Sequence, residues 1–449
     1  MTIKSIYSIS LIILLSGCVN NVPTHDEATA TIKDSNLSIK VPTHYVKASN
    51  SKHIATAWIR TFKDSTLNRL VIEAEKNNLN LKVAQSRVER AAALTKYTEA
   101  GLKPSIGVNG YYRDNNAEGS NEISFGGFGV SWEADLWGRV GNSVARDKEL
   151  TSATQLDYQF AKQSLAANTA KAWFLLSANH EITRFTKEVV GLQEKGLKIL
   201  IAREKIGQGN KRDVHVSRAL VASAKQAFVA SRSAKEHAKR AIEVLVGRYP
   251  SASLKSKKLY NVPSRIPSVG LPAKLLERRP DLLAAEARVA AAFHQEASAK
   301  LLHLPTIKLD LGLGVNSISD AITSLSAGIF APLYTGGAIE AQVATASADQ
   351  KAAIAAYANT VLHAFQEVEN ALAKEKYLAE QYKYLKVMES EYKIAYKMTT
   401  EKYRIGESSI LDVIITQGEW IKAEIAKVQV AKARLINRVN LHLALGGSF

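Results

Sequence analysis

Pro305-Thr306-Ile307-Lys308-Leu309-Asp310-Leu311-Gly312-Leu313-Gly314-Val315 decides how the rest of the chain is read. Ile307, Leu309, Leu311, Leu313 and Val315 fall on one side of an extended backbone. Thr306, Lys308, Asp310, Gly312 and Gly314 fall on the other. Side chains alternate across a strand with a period of two, so this is a strand with one wholly apolar face. The same alternation marks strands half buried on a soluble core. Nearly everything around it reads as long helix, however, and four short strands among so much helix do not make a sandwich. A hairpin packed on helices is one solution. A segment of a membrane-spanning barrel, apolar toward lipid and polar toward a lumen, accounts for more.

The second strand of that pair is placed at about 324–333. Earlier in the chain, 103–113 alternates Ile106, Val108, Gly110 and Tyr112 against Ser105, Gly107, Asn109 and Tyr111. Residues 123–136 carry Phe128, Val130, Trp132 and Ala134 on one face. Ile123 and Phe125 are out of phase with them, which predicts a bulge at Gly126-Gly127. A helical pattern covers about 64–101, with Asp64 or Ser65 as its cap. From Gly138 to Ile206 there is no proline, and a helix of that span would be on the order of 100 Å long. Gly207-Gln208-Gly209-Asn210 stops it, and Asp213 is expected to cap a return helix reaching about Gly247.

The plan then repeats. Arg87-Val88 recurs as Arg288-Val289, and Pro104-Ser105-Ile106 as Pro305-Thr306-Ile307, both 201 residues on. Ile206-Gly207 recurs as Ile405-Gly406, and Asp213-Val214 as Asp412-Val413, both 199 residues on. Two tandem repeats follow, at 61–248 and 273–449, joined by a Ser-, Lys- and Pro-rich connector at 249–272. Each holds helix, strand, loop, strand, very long helix, tight turn and return helix, with the tip turns at 206–213 and 405–412. Ala341, Ala344, Ala348, Ala352 and Ala355 line one side of the second long helix. That stripe serves either close helix approach or plain helix propensity.

The chain begins with Lys4, an apolar run from Ile6 to Leu15, and Leu15-Ser16-Gly17-Cys18. This is an export signal, 1–17, too short to cross a membrane as a helix. Cys18 is the only cysteine, so it makes no intramolecular disulfide. The Leu-Ser-Gly-Cys ending resembles a bacterial lipoprotein signal, which makes Cys18 the lipidation site and 18–60 a lipidated arm. The net charge of +17 is spread along helices and interleaved with Glu, as in Lys187-Glu188 and Glu401-Lys402. That is a solvated helix face rather than a nucleic-acid surface.

Lipid cannot satisfy an open strand edge, so a spanning sheet must close. Four strands per chain are too few. Two copies would give eight, a barrel filled by its own side chains, whereas three give twelve and a lumen. The expected architecture is mainly α with a small β part. Each repeat supplies long-helix hairpins plus one β-hairpin, and a homotrimer forms a 12-stranded membrane β-barrel on a 12-helix periplasmic α-barrel. Acidic side chains at the tips would then form a ring that favours cations and resists closure unless paired.

Several segments carry a family resemblance. They are Ser131-Trp132-Glu133-Ala134-Asp135-Leu136-Trp137-Gly138-Arg139, Leu276-Glu277-Arg278-Arg279-Pro280-Asp281-Leu282 and Ala331-Pro332-Leu333-Tyr334-Thr335-Gly336-Gly337. Phe365-Gln366-Glu367-Val368-Glu369-Asn370-Ala371-Leu372 and Tyr403-Arg404-Ile405-Gly406 complete the set. From about Cys18 to its end the chain resembles the outer-membrane factor (outer-membrane efflux protein) family, in the lipoprotein branch serving tripartite resistance-nodulation-division efflux pumps. The resemblance implies an outer-membrane exit channel that conducts passively, with a periplasmic adaptor (membrane fusion) protein and an inner-membrane transporter as partners. It implies a periplasmic gate of Asp213, Tyr403 and Asp412, and adaptor-facing tips at Gly207, Gly209, Lys211, Gly406 and Ser408. Where many relatives carry a further aspartate this chain has Ile415, which shifts the constriction toward packing of Leu411 and Ile415.

Enzyme chemistry has little support. Gly207-Gln208-Gly209 lacks the third glycine and the preceding strand of a dinucleotide fingerprint, and His180-Glu181 lacks the second histidine of a metal protease. No cofactor, metal cage or nucleophile constellation is indicated. Two other readings stay open. A periplasmic adaptor would carry one helical hairpin between small β-domains, and a structural helical lipoprotein would pack its hairpins on its own core.

Overall fold

The computed structural model describes residues 45–46, 57–113, 123–258, 262–263, 269–270, 272–316 and 321–447. The signal segment, Cys18, most of the arm and part of the connector lie outside the described residues. Asp64 opens the first helix, α1 (Ser65–Asn77), by accepting from the backbone amides of Thr66 and Leu67. The expected continuous helix to Gly101 is broken at Asn78, whose backbone is extended. Its Oδ1 accepts from Leu81 N at 3.0 Å and its Nδ2 donates to Leu245 O at 2.9 Å, so one side chain caps α2 (Leu79–Ala100) and ties it to a distant helix end.

The chain continues through β1 (Ser105–Arg113), β2 (Ile123–Ala134), α3 (Arg139–Lys205) and α4 (Lys211–Leu245). A one-turn helix, Ala273–Leu276, precedes α5 (Pro280–Lys300), β3 (Thr306–Asn316), β4 (Ile322–Phe330), α6 (Ala338–Arg404) and α7 (Ile410–Ala444). The duplication is visible in the lengths: α3 and α6 have 67 residues each, α4 and α7 35 each. Strand β4 starts and stops earlier than expected. Pro332, which lacks an N–H for the ladder, lies just beyond its end. Among the described residues no helix is long and apolar enough to cross a membrane.

The two repeats are not two bodies. One compact unit gathers residues 84–158 and 280–362, the other 41–83, 159–279 and 363–449, so each draws on both repeats. The first unit holds the sheet, antiparallel throughout in the order β1-β2-β3-β4. The expected bulge at Gly126-Gly127 is absent. Pairing runs without a skip from Ser105 opposite Ser131 to Arg113 opposite Ile123. Phe125 therefore lies on the face opposite Phe128, and glycine makes room for it. A methyl at Gly127 would lie 2.9 Å from the Phe125 ring, and one at Gly314 2.8 Å from it. The ring also stacks on Tyr111, with 5.6 Å between centroids.

The second unit has a core of Trp58, Phe62, Leu67, Leu70, Trp173, Phe174, Ile242 and Leu435, among others. Three of its buried carboxylates are well partnered. Asp64 accepts from Trp173 Nε1 at 2.6 Å. Glu243 holds the start of the connector by accepting from Ala252 N at 2.6 Å and Leu254 N at 3.0 Å. Those amides, with Ser253, outweigh burial and keep its carboxyl below the usual range. Glu375 meets Arg438 at 2.8 Å and accepts from Asn437.

Candidate functional site

The sheet has two unlike faces. Directly paired residues share a face, so the register places Ile106, Val108, Phe128, Val130, Trp132, Leu309, Leu311, Leu313, Leu325 and Ile329 together. Ser105, Asn109, Ser131, Glu133, Lys308, Asp310 and Ser326 occupy the other. Within the chain the apolar face has nothing over it at several positions: Ile106 is 75% exposed, Leu325 80% and Ile329 72%. Among the described residues, strands β1 and β4 are each paired on one side only. Exposed apolar patches of this extent mark an interaction surface, and two free edges mark an unfinished sheet.

The first quoted motif locks the end of the sheet to the start of α3. Asp135 accepts from Val140 N at 3.0 Å and Gly141 N at 2.7 Å, satisfying amides left free in the first turn. Gly138 takes a positive φ between them. Trp137 Nε1 donates to Pro305 O at 2.6 Å, joining the end of β2 to the approach to β3. Arg139 pairs with Glu133 at 2.5 Å. The proximity of Trp137 to Pro305, residues from different repeats, had no signal in local spacing.

The helix tips lie in the second unit. Both long helices end alike: Gly207 and Gly406 have φ of 74° and 86°, and Gln208 N and Glu407 N return to Arg203 O and Lys402 O. This is the left-handed glycine closure of a helix C-terminus. The caps are one turn earlier than expected. Asn210 caps α4, its Oδ1 accepting from Arg212 N at 2.9 Å, so Asp213 sits inside the first turn. Ser409 caps α7 in a reciprocal box with Asp412. The tip turns therefore span 206–210 and 405–409 rather than reaching Asp213 and Asp412. The Asp412 carboxylate accepts from Ser409 Oγ at 2.8 Å, Ser409 N at 3.0 Å and Ser408 Oγ at 3.1 Å, which holds its pKa below the ordinary value.

Below the tips, Leu200, Val214, Ile410, Val413 and Ile414 form one apolar cluster, with Tyr403 and Tyr396 packed against it. Arg203 lies over the Tyr403 ring at 5.4 Å. Leu411 is half-buried, whereas Ile415 and the tip residues Gly207, Gly209, Lys211 and Gly406 are exposed. Gly209 has a steric duty the sequence did not advertise. A methyl there would lie 2.7 Å from Glu204 N, while Ser408 fills the same place in the other tip.

A sheet with one exposed apolar face, and with both edges unpaired among the described residues, has the pattern of a membrane-inserted sheet. The family model described as "Outer membrane efflux protein" matches residues 70–248 and again 271–447, and the chain belongs to that family. The pyoverdine export outer membrane protein OpmQ of Pseudomonas putida is 28% identical over 416 residues, 87% of this chain and 88% of that protein. The probable outer membrane lipoprotein SilC of Salmonella typhimurium is 23% identical over 456 residues, 98% of each. Among solved structures, the Campylobacter jejuni CmeC outer membrane channel superposes with a TM-score of 0.85 at 24% identity, covering 90% of both chains. The chain is an outer-membrane efflux component, and its family is one of export proteins rather than enzymes.

Proposed function

We propose that three copies of this chain close their sheets into one twelve-stranded barrel and their long helices into a twelve-helix conduit, which passes substrates outward without doing chemical work. The observation that carries this reading is the four-stranded sheet with an exposed apolar face and two unpaired edges. Backbone groups at such edges have no partner in hydrocarbon, and edge-to-edge addition of further copies supplies one. Cys18 carries the acyl anchor, a reading supported by the Leu-Ser-Gly-Cys sequence and by the lipoprotein named in Salmonella typhimurium. A periplasmic adaptor docks at Gly207, Gly209, Lys211, Gly406 and Ser408, and an inner-membrane transporter supplies the energy.

The gate in this reading is the set of helix starts at Asp213 and Asp412 with Tyr403, Leu411 and Ile415 around them. Three Asp412 carboxylates, each kept ionised by its own cap, repel one another and favour cations at the entrance. Exposed Ile415 adds an apolar constriction, so closure rests on packing as well as charge. The test is a cysteine scan in a Cys18→Ser background, with one cysteine on β1 and one on β4. A covalent trimer on oxidation, and heat-modifiable trimers in outer-membrane extracts, are the expected results. A chain that remains monomeric in both sinks the proposal. For the gate, Asp412→Ala should raise single-channel conductance of the purified trimer; unchanged conductance removes Asp412 from it.

A further inference from the structure

Away from the sheet and the tips, the second unit holds a half-open cavity of about 410 Å³ between α3, α6 and α7. Its basic side chains are Lys171 and Lys374, its amides include Asn370 and Asn440, and Phe160 and Leu443 form an apolar wall. Several buried or half-buried cations in this unit have carboxylate partners: Arg438 has Glu375, Arg279 has Glu367, and Lys427 has Glu389 and Glu424, whereas half-buried Lys432 meets only the Gln429 amide among the described residues. Lys171 is half-buried and has no ion pair among the described residues. Burial alone pulls its ammonium below its ordinary value, with no carboxylate acting to raise it. The one carboxylate lining the cavity, Glu367, is engaged by Arg279 at 2.7 Å. A desolvated ammonium without a counter-ion is costly, and the counter-ion that relieves it can be a ligand.

We propose that this cavity binds a small organic anion, a carboxylate on a flat apolar body. The carboxylate takes charge-assisted hydrogen bonds from Lys171 and Lys374, with the Asn370 and Asn440 amides as further donors, and the body rests against Phe160 and Leu443. The volume suits a single-ring aromatic acid and lies in the range of small-molecule sites.

Benzoate, benzyl alcohol and acetate are suitable probes, followed by saturation-transfer NMR on the full-length protein in detergent. Benzoate is expected to bind saturably, and benzyl alcohol and acetate at least about tenfold more weakly, because each lacks one half of the recognition. Lys171→Met, which keeps the length of the side chain, should weaken benzoate at least about tenfold with the thermal midpoint unchanged. Lys374→Met should weaken it less, and Lys383→Met, outside the cavity, not at all. Equal binding of benzoate and benzyl alcohol overturns the proposal. So does benzoate binding that survives Lys171→Met, or that falls equally with Lys383→Met.

Discussion

Leu311 is the middle residue of β3 and sits on the apolar face opposite Val130 and Leu325. Asp310, its neighbour in sequence, is on the other face opposite Ser131 and Ser326. If the apolar face meets acyl chains, Leu311→Arg places a guanidinium near the bilayer midplane, at a cost of about 2–4 kcal/mol per copy. By mass action that is roughly a 30- to 1000-fold shift toward the unfolded chain per copy, and three copies compound it. Ser326→Arg is the matched control. It brings the same charge onto the polar face directly across from Asp310, where opposite charges on paired strands are mildly favourable, by about 0.2–1 kcal/mol. Urea-titrated folding into lipid vesicles, with trimers resolved by semi-native electrophoresis, reads both variants. Leu311→Arg should fold only at much lower urea, and Ser326→Arg should be nearly unchanged. Equal loss in the two variants, or loss only in Ser326→Arg, would refute the assignment of faces.

Three further outcomes follow from the second unit. Asp64→Ala removes a cap and leaves the indole N–H of buried Trp173 without its 2.6 Å partner, which should cost about 2–4 kcal/mol in urea unfolding followed by tryptophan fluorescence. Gly209→Ala should lower the thermal midpoint more than Ser408→Ala does, since only the former drives a methyl into helix backbone 2.7 Å away. His442 stacks on Trp58 at 5.4 Å, and burial, aided by Arg438, pushes its pKa down to about 4 from 6.5. The unfolded chain therefore takes up the proton first as pH falls. About 3 kcal/mol of stability present above pH 6.5 should fade between pH 6.5 and 4, and His442→Phe should flatten that part of the stability profile.

Much of the fold was legible because two periods, 2.0 and 3.6, dominate this chain and rarely compete. The strands showed through alternation, the long helices through the absence of proline, and the duplication through pairs at displacements of 199 and 201. Where the reading slipped, a side chain was acting at a distance. The phase change at Phe125 looks like a bulge from sequence, yet the ladder is continuous and glycines on two strands accommodate the ring. The break at Asn78 was hidden because its amide bonds Leu245, 167 residues away. Asp213 and Asp412 stood out as helix-start acids, but Asn210 and Ser409 were the nearer groups able to take the free amides. The cavity around Lys171 lines up residues from α3, α6 and α7, and no window of sequence contains it.

The equal lengths of the repeated helices carry their own physical argument. Each residue adds about 1.5 Å of rise and 100° of turn, so one deletion in α3 would shift its tip and rotate every side chain beyond it. The tip cluster leaves no room for such a shift. Arg203 must lie over Tyr403, and the Ile414 side chain occupies the space where a Cβ on Gly196 would be. Sequence has drifted far between the halves, with Gly209 against Ser408 and Asn210 against Ser409, because many residues can close a tip. Residue count has not drifted, since α3 and α6 remain at 67 and α4 and α7 at 35. A cap can be replaced locally, whereas a change in register is felt along the whole helix, and that difference is why length outlasted identity.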